Sequence, residues 1–493
     1  MHKQIFTKSA VFYAMRQLAY RAGVAEAALN APPATATGFE SLGIKIHYDF
    51  PERVHAGART IVIVPCREEA WQELIERRDA GLEWLSADRL VPEGERLPFS
   101  EPIPVLFRGA GRENGDRPFV ERRNDGAVIF HADILAATFF MLSRWEETVV
   151  PIWDLHGRFP ATACVAYRDG FLDRPVIDEY ALIMQSWLKT LLPGWSPKPR
   201  QFSLRLSHDV DMVRSVSGLY RTARMFAGDI IKRRSLRKAR ETVRTAIRSA
   251  IMPEDDPIYG SILELADLSE RYGLKSAFYF MAADEGPNDS GYDPAEPLVR
   301  RCIDEIARQG HEIGFHPSYR ASFDAEVWQR EFARLSAAAN GIPIVGGRQH
   351  FLRFRAPDTW RFWEKAGLSY DSTLSYADHE GFRCGTCLPF RPFDVEADRE
   401  LAVTEIPLIV MDGTLRQYRG LSLAEGEARI IALADRCRRV GGIFTLLWHN
   451  SSLSGEWEPW APVYRRVVEK LAGWETKSAP CSFSLCTLQG VEG

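Results

Sequence analysis

Apolar positions in the second half of this chain alternate between short continuous runs and stretches at helical spacing. Phe202–Leu206, Ser276–Met281, His311–His316, Glu405–Val410 and Gly442–Trp448 read as strands, and Arg348–Phe354 as extended chain. Between them, Ser261–Tyr272, Pro297–Gln309, Glu326–Asn340, Thr359–Ala366 and Leu423–Val440 read as helices, the second closing at Gly310. Repeated strand–helix units predict a parallel sheet, and about seven of them predict a barrel.

The first half is less regular. Thr60–Pro65 and Pro104–Phe107 read as strands. Asp133–Glu147 places Leu135, Phe139 and Leu142 at helical spacing behind a capping Asp133, and Ile177–Leu192 is a second amphipathic helix. The cluster Pro193-Gly194-Trp195-Ser196-Pro197 then breaks the pattern and marks a boundary. An α+β domain without a catalytic constellation is therefore expected over residues 1–195, and the barrel over 200–493.

At 493 residues the chain exceeds one ordinary core, which fits two domains. Its 45% hydrophobic and 26% charged residues are those of a soluble globular protein, and a net charge of −4 gives no reason to expect nucleic acid. No apolar run is long enough to span a bilayer, and Met1–Thr7 lacks the apolar core of a secretion signal, so a cytoplasmic protein is expected. The eight cysteines then read as free thiols, including those of the lone Cys384-Gly385-Thr386-Cys387.

A basic insertion, about 213–255, follows the first barrel strand. It carries Lys232, Arg233, Arg234, Arg237, Lys238, Arg240, Arg244 and Arg248 among Ile230, Ile231, Leu236, Val243 and Ile247. It reads as a helical hairpin with a solvated basic face, with an anionic polymer or the inner membrane surface as alternative partners.

Candidate chemistry sits at strand ends. In Ser207-His208-Asp209-Val210-Asp211 the two carboxylates lie two apart and converge on one face, where a cation or proton must separate them. His316 ends a later strand and His449 follows the last one. Carboxylates and histidines at the C-terminal ends of parallel strands point to a metal hydrolase.

At these residues the chain resembles the polysaccharide deacetylases, the NodB-homology group of carbohydrate esterase family 4. The resemblance covers about residues 200–493 and implies a distorted (β/α) barrel of about seven strands, with the smaller N-terminal α+β domain added. It implies a divalent metal, with zinc expected, and removal of an N-acetyl group from an acetylated sugar or polysaccharide precursor. Asp209 matches the catalytic base, Asp211 and His316 match metal ligands, and His449 in Leu447-Trp448-His449-Asn450 matches the general acid. Arg355, before Ala356-Pro357, matches the arginine that orients the base, with Arg353 and Arg348 as rivals.

One position departs from the pattern. The family's second ligand histidine falls on Arg320, which cannot ligate a metal. His350, in Gly347-Arg348-Gln349-His350, is the expected third ligand, ahead of His208 and His379. Trp448, Tyr319 and Arg348 are expected to contact substrate, while Trp360, Trp363, Trp457 and Trp460 are further candidates for sugar stacking. Asp371, in Tyr370-Asp371-Ser372-Thr373, is a lesser site candidate. Two other readings stay open: a degenerate barrel that binds a saccharide or partner without turnover, and a deacylase of a small non-sugar amide.

Overall fold

Eight short strands, all parallel, organise the second half of the chain. In this computed structural model they are β1 (Ser203–Val210), β2 (Ala277–Phe280), β3 (Glu312–Phe315), β4 (Gly346–Gly347), β5 (Tyr370–Asp371), β6 (Thr404–Glu405), β7 (Val410–Met411) and β8 (Ile443–Leu447). They pair in the order β6-β5-β4-β3-β2-β1-β8-β7. The structure describes residues 5–25, 38–41, 43–77, 81–111, 118–215, 218–231 and 234–475.

β6 and β7 form the two edges, yet they belong to one extended run. Its start pairs with β5 and its end with β8. The Ile406 N–H donates to the Asp371 carbonyl at 2.8 Å and the Ile409 N–H to the Thr445 carbonyl at 3.1 Å. The run thus carries the sheet round its seam, and Pro407, which has no N–H, sits where the partner changes. This is a distorted (β/α) barrel of seven strand segments joined through one seam.

Two local expectations fail. Arg348–Phe354 is not extended: the strand ends at Gly347 and the chain turns at His350–Leu352, with left-handed φ of 61° at Phe351 and 53° at Leu352. Gly347 is required here, because a Cβ would overlap the Phe315 carbonyl of β3. The helix expected over Asp133–Glu147 stops at Leu142, since Arg144 is left-handed (φ 54°), and resumes at Trp145–Val149. Its start is as the pattern indicates, with Asp133 accepting from the Ala136 N–H at 2.8 Å.

The smaller N-terminal α+β domain holds a five-stranded mixed sheet, in the order 38–41, 44–48, 60–63, 128–130, 120–122. Helices Lys8–Arg21, Ile134–Leu142 and Val176–Leu191 cover it. Its core runs without a break into that of the barrel, through residues such as Phe139, Ile177, Cys384 and Phe393. Buried ions reinforce the junction: Arg144 pairs with Glu147 at 2.8 Å and donates to the Arg383 carbonyl, while Arg383 pairs with Glu147 at 2.6 Å. Burying such charges is costly unless each is paired, and here each is. Cys384 and Cys387 are buried free thiols on the barrel side of this junction.

Candidate active site

The C-terminal ends of β1, β3, β4, β7 and β8 converge on one pocket. Asp209 and Asp211 come from β1 and the residue after it, His316 follows β3, and His449 lies two residues beyond β8. His350 arrives on the tight turn after β4, which the Phe351 and Leu352 backbone makes possible. The Nε2 atoms of His316 and His350 stand 3.2 Å and 3.6 Å from Asp211 Oδ1. Among the described residues this is the one group whose ligand atoms all lie within 4.8 Å of one another.

The surroundings fit a cation. His316 Nδ1 donates to the Arg348 carbonyl at 2.7 Å, and His350 Nδ1 faces Asp289 Oδ1 at 2.8 Å. Each bond places the proton on Nδ1 and leaves the Nε2 lone pair aimed inward, the usual outer support of a metal-bound histidine. His316 Nε2 and Asp211 Oδ1 are buried without a hydrogen-bond partner. Burial would raise the Asp211 carboxyl, but His350, His316 and His449 hold it well below the usual carboxylate range. Burial would likewise lower the His316 imidazole, yet Asp209 and Asp211 raise it. Two imidazoles with a carboxylate suit a divalent ion such as zinc.

Either side of that group stands a possible proton carrier. Asp209 accepts from Arg348 Nη1 at 2.9 Å, and Arg348 is itself fixed by the Ser372 carbonyl at 2.8 Å. Opposite, His449 Nδ1 lies 2.7 Å from Asp412 Oδ1, while its backbone N–H donates to Asp412 Oδ2 at 2.9 Å. Its Nε2 turns into the pocket, 3.9 Å from Asp211 Oδ2. Burial opposes protonation of His449, but Asp412, together with Asp211 and Asp209, outweighs it and raises the imidazole to about 10.

Several expected residues lie elsewhere. Arg355 is not at the base: beyond the turn at His350–Leu352 the chain has left the strand ends, and Arg355 stacks over Trp153 at 4.8 Å and Phe323 at 4.6 Å. Trp448 does not face substrate, because it alternates with His449, and it is buried against Tyr464 at 4.9 Å. Tyr319 is half-buried under the Arg353 guanidinium, and Arg348 is fully buried behind Asp209. Trp360 is buried with its indole N–H on Glu405, Trp363 is also buried, and Trp460 packs in the core. Asp371 is buried and bonded to Thr373, with burial pushing it up to about 7. Arg320 is exposed at the start of a short turn, and His379 lies beside Tyr167, away from the metal group.

His208 points away from Asp209, bonds the Trp448 carbonyl at 2.8 Å and is lowered to about 3, first by burial. Since the unfolded imidazole titrates near ~6.5, the unfolded state takes up the proton first on acidification. Stability is expected to fall between those two values and to be flat above ~6.5, losing about 2 kcal/mol from this residue by pH ~5. Chemical denaturation across that range measures the loss, and His208→Gln should flatten it.

The pocket encloses about 200 Å³. Beside Asp209, Asp211, His350 and His449, its walls include Met411, Gln417, Tyr418, Trp457 and Arg158. Arg158 belongs to a segment of the first half that straps the ligand turn: its Nη1 donates to the Phe351 carbonyl at 3.0 Å, and Arg353 Nε donates to the His156 carbonyl at 2.8 Å. Asp412, Asp289 and this strap escaped sequence reasoning. A strand-end signal existed for Asp412, directly after Val410-Met411, but none for the other two.

Residues 83–193 match a family of unknown function, DUF7033. Comparison with curated proteins returns no sequence match. A structure from Mycobacterium smegmatis described as a candidate polysaccharide deacetylase overlays at TM-score 0.37 and 17% identity, covering 57% of this chain and 87% of that one. The Puue allantoinase overlays at TM-score 0.34 and 13% identity, covering 56% and 87%.

Proposed function

We propose that this chain is a metal-dependent amide hydrolase of the NodB type that removes an N-acetyl group from an acetylated sugar in surface-polysaccharide metabolism. One observation carries the reading: the Asp211–His316–His350 group lies between a carboxylate held by arginine and an imidazole held by carboxylate. A divalent ion there, zinc by its donor set, would supply Lewis acidity. Asp209, fixed by Arg348, is placed to take a proton from water. His449, kept protonated by Asp412, is placed to give one to the departing nitrogen, which otherwise leaves as an anion. A pure binder has no use for this pairing, which weighs against a degenerate barrel.

The pocket is small. At about 200 Å³ it falls below the ~300–1,000 Å³ of drug-sized sites, which fits one acylated unit at the reacting centre. That size also favours a second reading, a small non-sugar amide as substrate. Acetate release by zinc-loaded protein separates the two. Turnover of N-acetylated mono- and disaccharides is expected. Hydrolysis of small non-sugar acetamides alone would shift the assignment to the second reading, and no amide turnover with metal bound would reject both.

A further inference from the structure

We infer that the helical hairpin spanning residues 218–251 is a docking surface for an anionic lipid bilayer. Its two helices, Gly218–Ile231 and Leu236–Ile251, leave the barrel directly after β1 and its Asp211. Positions 218–251 contain ten Arg or Lys and two acidic residues, in a chain of net charge −4. Lys232 and Arg233, between the two helices in sequence, lie outside the described residues.

The second helix separates its chemistry by face. Leu236, Val243, Ile247 and Ile251 recur at spacings of seven, four and four and form one stripe, with Leu236 71%, Ile247 56% and Ile251 74% exposed. Arg237, Arg240, Arg244 and Arg248 run beside it at spacings of three, four and four, all exposed. The first helix adds Phe226, Ile230 and Ile231, the last 73% exposed. On the opposite side the helices are held together by buried Ala239 and by Thr242 donating to Asp229 at 2.6 Å. Arg234, Arg237, Arg240 and Arg244 make no ion pair among the described residues, whereas Arg248 pairs with Asp255 and Lys238 with Glu456.

An aliphatic stripe in water is unfavourable, and unpaired guanidinium groups beside it need anions. The interface of an anionic bilayer answers both demands: aliphatic side chains enter the acyl boundary while arginines reach the phosphates. An anionic glycan answers only the second, since it offers no apolar phase to Ile or Leu. The Lys238–Glu456 pair, at 3.1 Å, ties the hairpin to the turn that carries Trp457 in the pocket wall.

The test uses full-length protein and phosphatidylcholine vesicles with or without phosphatidylglycerol, read by co-sedimentation without substrate, so it is independent of the hydrolytic reading. Binding is expected only with phosphatidylglycerol and should weaken as salt shortens the screening length. Changing Arg234, Arg237, Arg240 and Arg244 to Gln should weaken it on the order of 10³-fold. Changing Leu236, Val243, Ile247 and Ile251 to Ser should also release the protein, with unchanged circular dichroism. The two variants share no residue, so one that fails to fold leaves the other decisive. Wild-type protein that ignores phosphatidylglycerol vesicles, a folded serine variant that binds them like wild type, or capture by a soluble anionic polysaccharide but not by vesicles would each overturn the proposal.

Discussion

Asp209→Asn is expected to keep the fold and the metal while lowering acetate release on the order of 10³-fold. The amide is nearly isosteric with the carboxylate, so the Arg348 contact at 2.9 Å keeps an oxygen to accept it. What is lost is the ability to take a proton from water. Metal content and turnover are measured on the same preparation. Wild-type turnover would remove Asp209 from the base role, and loss of metal together with activity would make it a ligand.

The second large effect concerns metal content. His316→Ala and Asp211→Ala should each abolish stoichiometric binding, because each leaves two protein ligands from a set of three. His350→Ala should do the same, whereas Arg320→Ala should bind metal like wild type, since Arg320 faces solvent. Asp289→Asn, which alters the support behind His350 and keeps an oxygen for the Tyr319 N–H, should weaken binding by ~10–100-fold. Elemental analysis gives stoichiometry and competitive chelator titration gives affinity. Full occupancy in both His316→Ala and Asp211→Ala would place the ion elsewhere.

The sequence exposes those parts of the barrel that are buried on both faces. Ser276–Met281 and Gly442–Trp448 are apolar runs because helices cover them outside and side chains fill the lumen, while Phe202–Leu206 alternates, with Ser203 and Arg205 half-buried. β4 and β5, two residues each, are too short to show any period. Asp209, Asp211, His316 and His449 are legible because each sits within one or two residues of a recognisable strand end. Spacing before Pro357 pointed to Arg355 ahead of Arg353 and Arg348, and the turn at His350–Leu352 reverses that order by leaving Arg348 on Asp209. That turn rests on left-handed backbone at Phe351 and Leu352, which neither residue type announces. Contacts such as Arg158 to Phe351 join positions 193 apart in the chain and leave no local trace.

The order of strands bears on how the chain is made. β1, which carries Asp209 and leads into Asp211, lies between β2 and β8, and β8 is the last of the described strands to be synthesised. Until then one side of β1 remains an open edge, able to pair with any extended chain nearby. Closure must bring together residues more than two hundred positions apart, as Leu204 beside Phe444 shows, and such distant pairing is slow. The unfinished polypeptide therefore spends its synthesis with its acidic pair exposed and its general-acid candidate not yet made. Any shortened product ending before β8 keeps that unpaired edge and should be recovered as aggregate.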